Sequence, residues 1–299
     1  MFGLFAGVLI ARGWGLPLGH EAIILLLGAA LLAVMGLWDD ARGLPAWLRL
    51  VAQLGIATAV AVSIGSFERL PLPVPLDLRL GGLGLPLTVL WLVGVTNFFN
   101  FMDGIDGLAG GQALASCAGV VIAGWSQDAN RLSWVVAGAV VGFLIYNWPP
   151  AKVFLGDVGS MPLGFMLAGL PLLAHENDRS AAVLAAAVGL ALFLFDPVWT
   201  LVRRARARKR IGEAHREHVY QRLLASGDPH GRVTVPLVVA AFALAVFGGY
   251  AYVEPSLRWP ALGSAVVAFA VECGIARSAE RRRAETFSRV EPGRQTLLP

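Results

Sequence analysis

The sequence is poor in charged residues. Only 15% of its 299 residues are Asp, Glu, Lys or Arg, whereas about a quarter is usual in soluble domains. Hydrophobic residues make up 57% of the chain and the mean hydropathy is +0.66. A soluble fold with this composition would need one very large core with almost no polar covering. The scarcity of charge therefore excludes an ordinary soluble protein and indicates a chain that lies in lipid.

Cysteine is almost absent, and no leader is evident. Cys117 and Cys273 lie in apolar runs without metal or redox spacing, so they are interpreted as packing residues. No basic residue precedes the first apolar run, 2–11, which is not typical of a secretory signal. Arginine is concentrated in two patches, 203–210 and 277–283. Patches beside apolar runs are typical of membrane orientation signals, and we expect no nucleic acid as a partner.

Apolar runs of bilayer length recur along the whole chain. They predict about ten membrane-spanning helices, at residues 2–13, 21–38, 47–66, 85–101, 107–125, 132–148, 159–174, 181–202, 234–253 and 258–276. Small residues in several of these runs allow close helix packing, and no barrel is needed to satisfy the backbone. The predicted fold class is all-α, a polytopic membrane helix bundle.

The basic residues predict the orientation of this bundle. Alternating crossings place four connections on one side, at about 39–46, 102–106, 149–158 and 203–233. The last of these and the segment from Arg277 carry most of the arginines, which makes that side cytoplasmic. The sequence therefore predicts one transmembrane domain over 1–276 and a basic cytoplasmic tail over 277–299.

Two adjacent carboxylates, Asp39 and Asp40, lie where a predicted helix meets the cytoplasm. A helix C-terminus carries partial negative charge, so the pair reduces stability unless a cation or a hydrogen-bond donor compensates. The pair is either part of a solvated loop or part of a site.

Polar residues recur every three positions at the end of another predicted helix, at Asn97, Asn100, Asp103 and Asp106. Residues three apart share a helix face, but a broken turn near Gly104 and Gly107 is needed to direct all four at one point. Two Asp-Gly turns would explain the glycines. They would not explain the asparagines, whose amides need partners in lipid.

Two charged residues, Lys152 and Asp157, occupy the connection 149–158. Asp157 is either the N-cap of the helix that follows or part of a phosphate site, since helix N-termini also bind anions.

The basic connection 203–233 contains His215, Arg216 and His218. Two histidines without a third ligand do not predict zinc. Arginine and histidine in a positive loop suit a pyrophosphate or a nucleotide better.

Five aspartates and two asparagines are thus predicted to share one membrane face with a cationic loop. Clustered carboxylates repel unless a divalent ion binds them, and oxygen donors favour Mg²⁺, with Mn²⁺ as the alternative. Mg²⁺ beside cations is the arrangement for phosphoryl transfer. An ion-coupled transporter is the main alternative, but its acids should lie at mid-span. A membrane phosphatase, a CDP-alcohol phosphotransferase and a catalytically inactive relative are further alternatives.

At these residues the chain resembles the polyprenyl-phosphate N-acetylhexosamine-1-phosphate transferases of glycosyltransferase family 4. Its four motifs follow the family's order over about residues 2–275, and the fourth is most similar to the O-antigen-initiating subgroup. The resemblance implies that UDP-N-acetylhexosamine donates its sugar-1-phosphate to undecaprenyl phosphate and that UMP is released. It also implies a bacterial cytoplasmic (inner) membrane, a role in initiating cell-surface polysaccharide synthesis, contact with membrane lipid, and either a monomer or a homodimer.

The resemblance also implies roles for individual residues. Asp157 is expected to be the principal Mg²⁺ ligand, with Asn100 sharing the ion. Asp39 or Asp40 is expected to deprotonate or orient the lipid phosphate, and Asp103 and Asp106 to hold the donor. The expected substrate-binding residues are Asn97, Asn147, Lys152, Phe154, His215, Arg216 and His218. The lipid phosphate is the preferred nucleophile, and a covalent aspartyl route is the alternative.

The start of the chain departs from the family pattern. Members usually begin with an additional helix and a cytoplasmic loop rich in Pro, Arg and paired Gly, and Met1 falls near the end of that loop. The expectation is therefore either a truncated start or a chain that has lost this element.

Overall fold

Helices make up most of the described chain, and the longest connection between them, 65–83, follows Ile64. The structure is a computed structural model that describes residues 18–210, 216–225 and 227–290. Within these ranges the β-structure consists of one isolated bridge between Arg69 and Arg79. The α-helices are α1 His20–Arg42, α2 Ala46–Ile64, α3 Gly84–Met102, α4 Leu108–Ala123, α5 Gln127–Asn147, α6 Asp157–Gly169, α7 Arg179–Gly189, α8 Ala191–Arg206, α9 Val219–Ala225, α10 His230–Val253 and α11 Arg258–Val290. The all-α prediction is confirmed for this part of the chain.

Several helices are long and apolar enough to cross a membrane. Six such segments occur among the described residues: His20–Arg42, Ala46–Ile64, Gly81–Met102, Gln127–Asn147, His230–Val253 and Pro255–Arg281. A seventh span results if the helices of 157–189, which bend by 117°, are counted as one. The protein is therefore an integral membrane protein, while the predicted number of about ten spans is not confirmed. The predicted first span, 2–13, lies outside the described residues.

The segment predicted as one span at 181–202 is divided into α7 and α8, which meet at Leu190. The carbonyl oxygen of Gly189 accepts a hydrogen bond of 2.9 Å from the side chain of Gln112 in α4. That bond satisfies a backbone acceptor at the point where the helix is interrupted. At the other end of the chain, α11 continues past the predicted boundary at residue 276 to Val290.

Glycines bring the backbones of several helices into direct contact. A Cβ on Gly119 of α4 would stand 2.6 Å from the carbonyl oxygen of Ala245 in α10. In α1, a Cβ on Gly36 would collide with the carbonyl group of Asp157, the first residue of α6. Small residues permit such close approach in membrane bundles. The contact at Gly36 places the end of α1 directly beside the start of α6.

Candidate active site

The ends of three helices bring the acidic motifs together at one end of the bundle. Asp39 and Asp40 end α1, Asp103 follows α3, and Asp157 begins α6. A cavity of about 310 Å³ opens beside them. It is lined by Asn100, Asp103, Gly104, Ile105, Asp106, Asn147, Phe154, Leu155, Gly156, Asp157 and His230. Four predicted catalytic or metal-binding residues, Asn100, Asp103, Asp106 and Asp157, therefore share this cavity with two predicted substrate-binding residues, Asn147 and Phe154.

Asp157 is tied to α3 through an amide. The Nδ2 of Asn100 donates to Asp157 Oδ1 at 2.8 Å and to the hydroxyl oxygen of Ser160 at 2.7 Å. Ser160 in turn donates to the carbonyl oxygen of Gly156. Both bonds use the side-chain NH₂ group of Asn100. Its side-chain oxygen Oδ1 accepts no hydrogen bond from any described residue and remains available as an oxygen ligand.

Arg49 supplies the cation that two carboxylates at a helix end require. Its Nη1 donates to Asp39 Oδ2 and lies 3.4 Å from Asp157 Oδ2. The backbone amide of Leu44 donates to the other oxygen of Asp39 at 2.6 Å. Asp39 therefore has a partner on each oxygen, and its side chain is only 9% exposed. One guanidinium thus links the first acidic motif to the third.

Asp40 caps α6 from a distant part of the chain. Its carboxylate oxygens accept hydrogen bonds from the backbone amides of Asp157 at 3.1 Å and Val158 at 3.0 Å. The N-cap position itself belongs to Gly156, which has φ +63° and lies against the Asp40 carboxylate. The suggestion that Asp157 caps this helix is therefore wrong, because Asp40 carries out that role. The Asp157 side chain is left facing the cavity.

Asp103 terminates α3 at the cavity wall. Its backbone leaves the helical conformation, with φ −80° and ψ 58°. Burial, with a further contribution from the negative charge of Asp157, raises the pKa of Asp103 to about 7. A carboxyl in this position changes its charge near neutral pH, which is uncommon for an aspartate.

Asp106 connects three segments at the rim of the cavity. Its Oδ2 accepts from the backbone amide of Ala151 at 3.0 Å, and its Oδ1 lies 3.0 Å from Nδ1 of His230 at the start of α10. Its backbone carbonyl accepts from the hydroxyl of Thr234 at 2.7 Å. Asp106 therefore fixes the 149–156 connection and α10 relative to the turn after α3.

The predicted substrate-binding residues before α6 occupy different environments. Asn147 is 5% exposed, and its amide bonds the backbone of Gly107 and Val153 at 2.9 and 2.8 Å. Phe154, 73% exposed, stands at the cavity and Lys152 is exposed. Asn97 is outside the cavity lining, and its Nδ2 donates to Gln53 of α2 and to the Val93 carbonyl. Their contact with substrate stays a prediction.

The fourth motif lies beside the turn after α3, and its residues 218–220 are buried. His215 falls outside the described residues, and Arg216 is exposed. The His218 side chain is 6% exposed, and its Nδ1 lies 3.2 Å from Asp196 Oδ1. Its ring packs against those of Phe101 and Tyr220, with centroid distances of 6.3 and 5.9 Å. The cavity lining includes no residue of this motif among those described.

Comparison with known proteins identifies the family. The model of glycosyl transferase family 4 matches residues 22–175, slightly more than half of the chain, and this range contains all five aspartates of the site. The chain belongs to glycosyl transferase family 4. The family resemblance stated from the motifs is confirmed, whereas membership of the O-antigen-initiating subgroup stays a prediction.

Curated members of glycosyl transferase family 4 match over longer segments. The chain is 31% identical to the probable undecaprenyl-phosphate N-acetylglucosaminyl 1-phosphate transferase of Bacillus subtilis, over 82% of this chain and 69% of that protein. It is 32% identical to the decaprenyl-phosphate N-acetylglucosaminephosphotransferase of Mycobacterium tuberculosis, over 76% and 62%. It is 33% identical to the phospho-N-acetylmuramoyl-pentapeptide-transferase of Lactiplantibacillus plantarum, over 55% and 56%. The chain thus spans roughly half to two thirds of the length of these relatives. They give no support to a transporter.

The sequence-based prediction missed three residues that contact the predicted site residues: Arg49, Asp196 and His230. Arg49 carried a signal, because it is the only charged residue in the apolar run 47–66. Asp196 carried one too, as an acid within the run 181–202. A charge inside a membrane helix is a reason to search for a partner. His230 follows a turn and has no local pattern that would have identified it.

Proposed function

We propose that this protein transfers N-acetylhexosamine-1-phosphate from a UDP-sugar to undecaprenyl phosphate and releases UMP. The observation that carries the proposal is the convergence of Asn100, Asp103, Asp106 and Asp157 on one cavity, with Asp39 and Arg49 directly beside Asp157. The names of the relatives describe transferases of this class. An acidic cavity at the end of an apolar bundle suits a reaction between a nucleotide sugar and a lipid phosphate when a divalent cation offsets the repulsion between carboxylates and phosphates.

The reaction is a displacement at the β-phosphorus of the donor. An oxygen of the lipid phosphate forms a bond to this phosphorus, and the bond from it to the oxygen bridging to the α-phosphate breaks. UMP leaves with that oxygen, and the sugar remains on its phosphate. Such transfers depend mainly on positioning and on electrostatic stabilisation of phosphate charge. Arg49 is paired with Asp39 and Asp157 and would bind the acceptor phosphate.

The hydrogen bonds around the first motif support direct attack. Asp39 is held by Arg49 and Leu44, and Asp40 is held by the amides at the start of α6. An aspartate nucleophile would have to leave such partners before attacking phosphorus. The lipid phosphate is therefore the nucleophile we propose, and the two aspartates orient the groups around it.

Mg²⁺ is the cofactor we propose. Among the described residues, no group of three His, Cys, Asp or Glu side chains is placed to hold a metal by itself. Mg²⁺ commonly uses one or two carboxylates together with waters and substrate phosphates. The Asp157 carboxylate and the side-chain oxygen Oδ1 of Asn100 fit that pattern, and Asp103 lines the same cavity. When bound, the ion would neutralise charge on the transferred phosphate.

The proposed location is the bacterial cytoplasmic membrane, with about ten spans and the cavity on the cytoplasmic face. Arg203, Arg204 and Arg206 lie in the last turn of α8. That end of α8 leads to the fourth motif, which packs on the turn bearing Asp103. Basic residues at the cavity end of the bundle support a cytoplasmic orientation. Donor UDP-sugars are made in that compartment.

The test is release of UMP by the purified protein in lipid nanodiscs. The reaction contains undecaprenyl phosphate, Mg²⁺ and each of several UDP-N-acetyl sugars, so that the preferred sugar is also identified. We expect acceptor-dependent UMP release that is lost in Asp157→Ala. Asp128→Ala, which changes an acid outside the site, should retain it. Acceptor-independent UMP release would contradict direct attack, and no UMP release with any sugar would refute the transferase activity.

A further inference from the structure

Asp196 is a buried carboxylate in α8 with hydrogen-bond donors from two elements. The side chain is 0% exposed. Its Oδ1 accepts from the backbone amide of Val219 at 2.9 Å, and its Oδ2 from that of Tyr220 at 3.3 Å. The Thr200 hydroxyl donates to Oδ1 at 3.0 Å, and Nδ1 of His218 lies 3.2 Å from the same atom. The carboxylate therefore holds the first residues of α9 against α8.

Tyr220 continues this connection from α9 to the end of α3. The side chain is fully buried, and its hydroxyl donates to the carbonyl oxygen of Phe101 at 3.1 Å. Gly104 lies so close to that hydroxyl that any side chain at this position would collide with it. The segment 101–104, which carries Asp103, therefore rests on Tyr220.

We propose that Asp196 is a positioning residue for the transfer reaction. By holding His218 and Tyr220, it fixes the turn that presents Asp103 to the cavity, although Asp196 itself lines no part of that cavity. This inference rests on the proposed transferase function and extends it to a residue within α8.

The physical reason lies in the donors that surround the carboxylate. A buried carboxylate is tolerated only when hydrogen bonds satisfy it, and most of its donors come from 218–220. Thr200 alone belongs to α8. In Asp196→Asn only one side-chain oxygen remains as an acceptor, so one of the two backbone amides of α9 faces an NH₂ group in an apolar environment, which favours detachment of α9. Tyr220 would then no longer support the carbonyl of Phe101.

The first experiment measures hydrogen exchange in nanodiscs for wild type, Asp196→Asn and Asp128→Asn. Asp128 is the matched control, because its carboxylate also accepts a backbone amide, that of Gly19, in a part of the bundle away from the cavity. We expect Asp196→Asn to accelerate exchange in 216–225 and in 101–106, and Asp128→Asn to change neither segment. Unchanged exchange in 101–106 for Asp196→Asn would overturn the proposal.

The second experiment measures the kinetics of UMP release. We expect Asp196→Asn to lower kcat by about tenfold or more, because a displaced Asp103 no longer holds the reacting groups in the productive geometry, with the acceptor KM changed less than twofold. A fall in kcat that only matches the loss of folded protein would contradict a positioning role. If Asp196→Asn fails to fold, Tyr220→Phe tests the same connection, because it removes only the hydroxyl that bonds Phe101 and keeps the ring. It should accelerate exchange in 101–106 and leave 216–225 unchanged.

The two readouts separate this inference from the proposed function. If the wild type releases no UMP, the proposed function is refuted, and with it the role of Asp196 in the reaction. The exchange measurement still decides whether Asp196 holds the turn. If the wild type is active and Asp196→Asn matches it in kcat and in exchange, only the inference about Asp196 fails.

Discussion

The Asp40 carboxylate accepts hydrogen bonds from the backbone amides of Asp157 and Val158, although Asp40 and Asp157 are 117 residues apart in the sequence. The first amides of a helix have no partner within the helix, and its N-terminus carries partial positive charge. The Asp40 carboxylate of α1 accepts hydrogen bonds from these amides, and its negative charge offsets the partial positive charge of the α6 N-terminus. The contact fixes the position of Asp157 without using the Asp157 side chain, so the two adjacent aspartates of the first motif have different tasks.

We therefore expect Asp40→Ala to destabilise the protein by about 1 kcal/mol, the usual effect of losing a helix cap. Activity should fall as well, because the start of α6 carries Asp157. Asp40→Asn keeps one acceptor oxygen and should lie between the wild type and Asp40→Ala in both properties. Thermal unfolding in detergent and UMP release are the measurements. Equal unfolding temperatures for wild type and Asp40→Ala would contradict the capping role.

The motifs predicted that the acidic residues meet, but not how they are paired, and they also included Asn97 and His218, which lie outside the cavity lining. The five aspartates could be assigned to one face because each follows or begins an apolar run. The link through Arg49 could not, because it depends on how α2 packs against α1 and α6. Asn97 shows a further limit: three-residue spacing drifts around a helix of 3.6 residues per turn. Asn100 thus reaches Asp157 while Asn97 faces Gln53.

The pKa of Asp103, raised to about 7 from an ordinary 3.8, predicts a pH-dependent stability. The folded protein binds the proton more tightly than the unfolded chain. The associated stabilisation is therefore fully present below about pH 4 and is lost as the pH rises through 7. Asp103→Asn removes this titration. In EDTA, the unfolding temperature of wild type relative to Asp103→Asn should fall between pH 5 and pH 8. A constant difference between the two proteins would contradict the raised pKa.

Arg49 and Mg²⁺ are expected to compete for the same carboxylates. The guanidinium lies between Asp39 and Asp157, so its removal leaves negative charge that attracts a divalent ion. Arg49→Gln should lower the Mg²⁺ concentration needed for half-maximal activity and also lower kcat, because a cation for the acceptor phosphate is lost. Arg49→Lys should retain part of kcat, since it keeps the charge but not the forked geometry. Titration of UMP release with Mg²⁺ measures both quantities. A higher Mg²⁺ requirement in Arg49→Gln would contradict the competition.

The crossing of α1 and α6 at Gly36 should be intolerant of even one methyl group. A Cβ at Gly36 would collide with the carbonyl of Asp157, which is backbone and cannot rotate away. Overpacking of this kind generally costs about 1–3 kcal/mol. Gly36→Ala should therefore lower the unfolding temperature and displace Asp157, with a loss of UMP release. Gly55→Ala in α2 is the matched control, because no heavy atom lies within 4 Å of its added Cβ. Alanine is also the better helix former there, so the control should be at least as stable as wild type. Equal loss in both variants would show that helix propensity, and not the contact with Asp157, governs these positions.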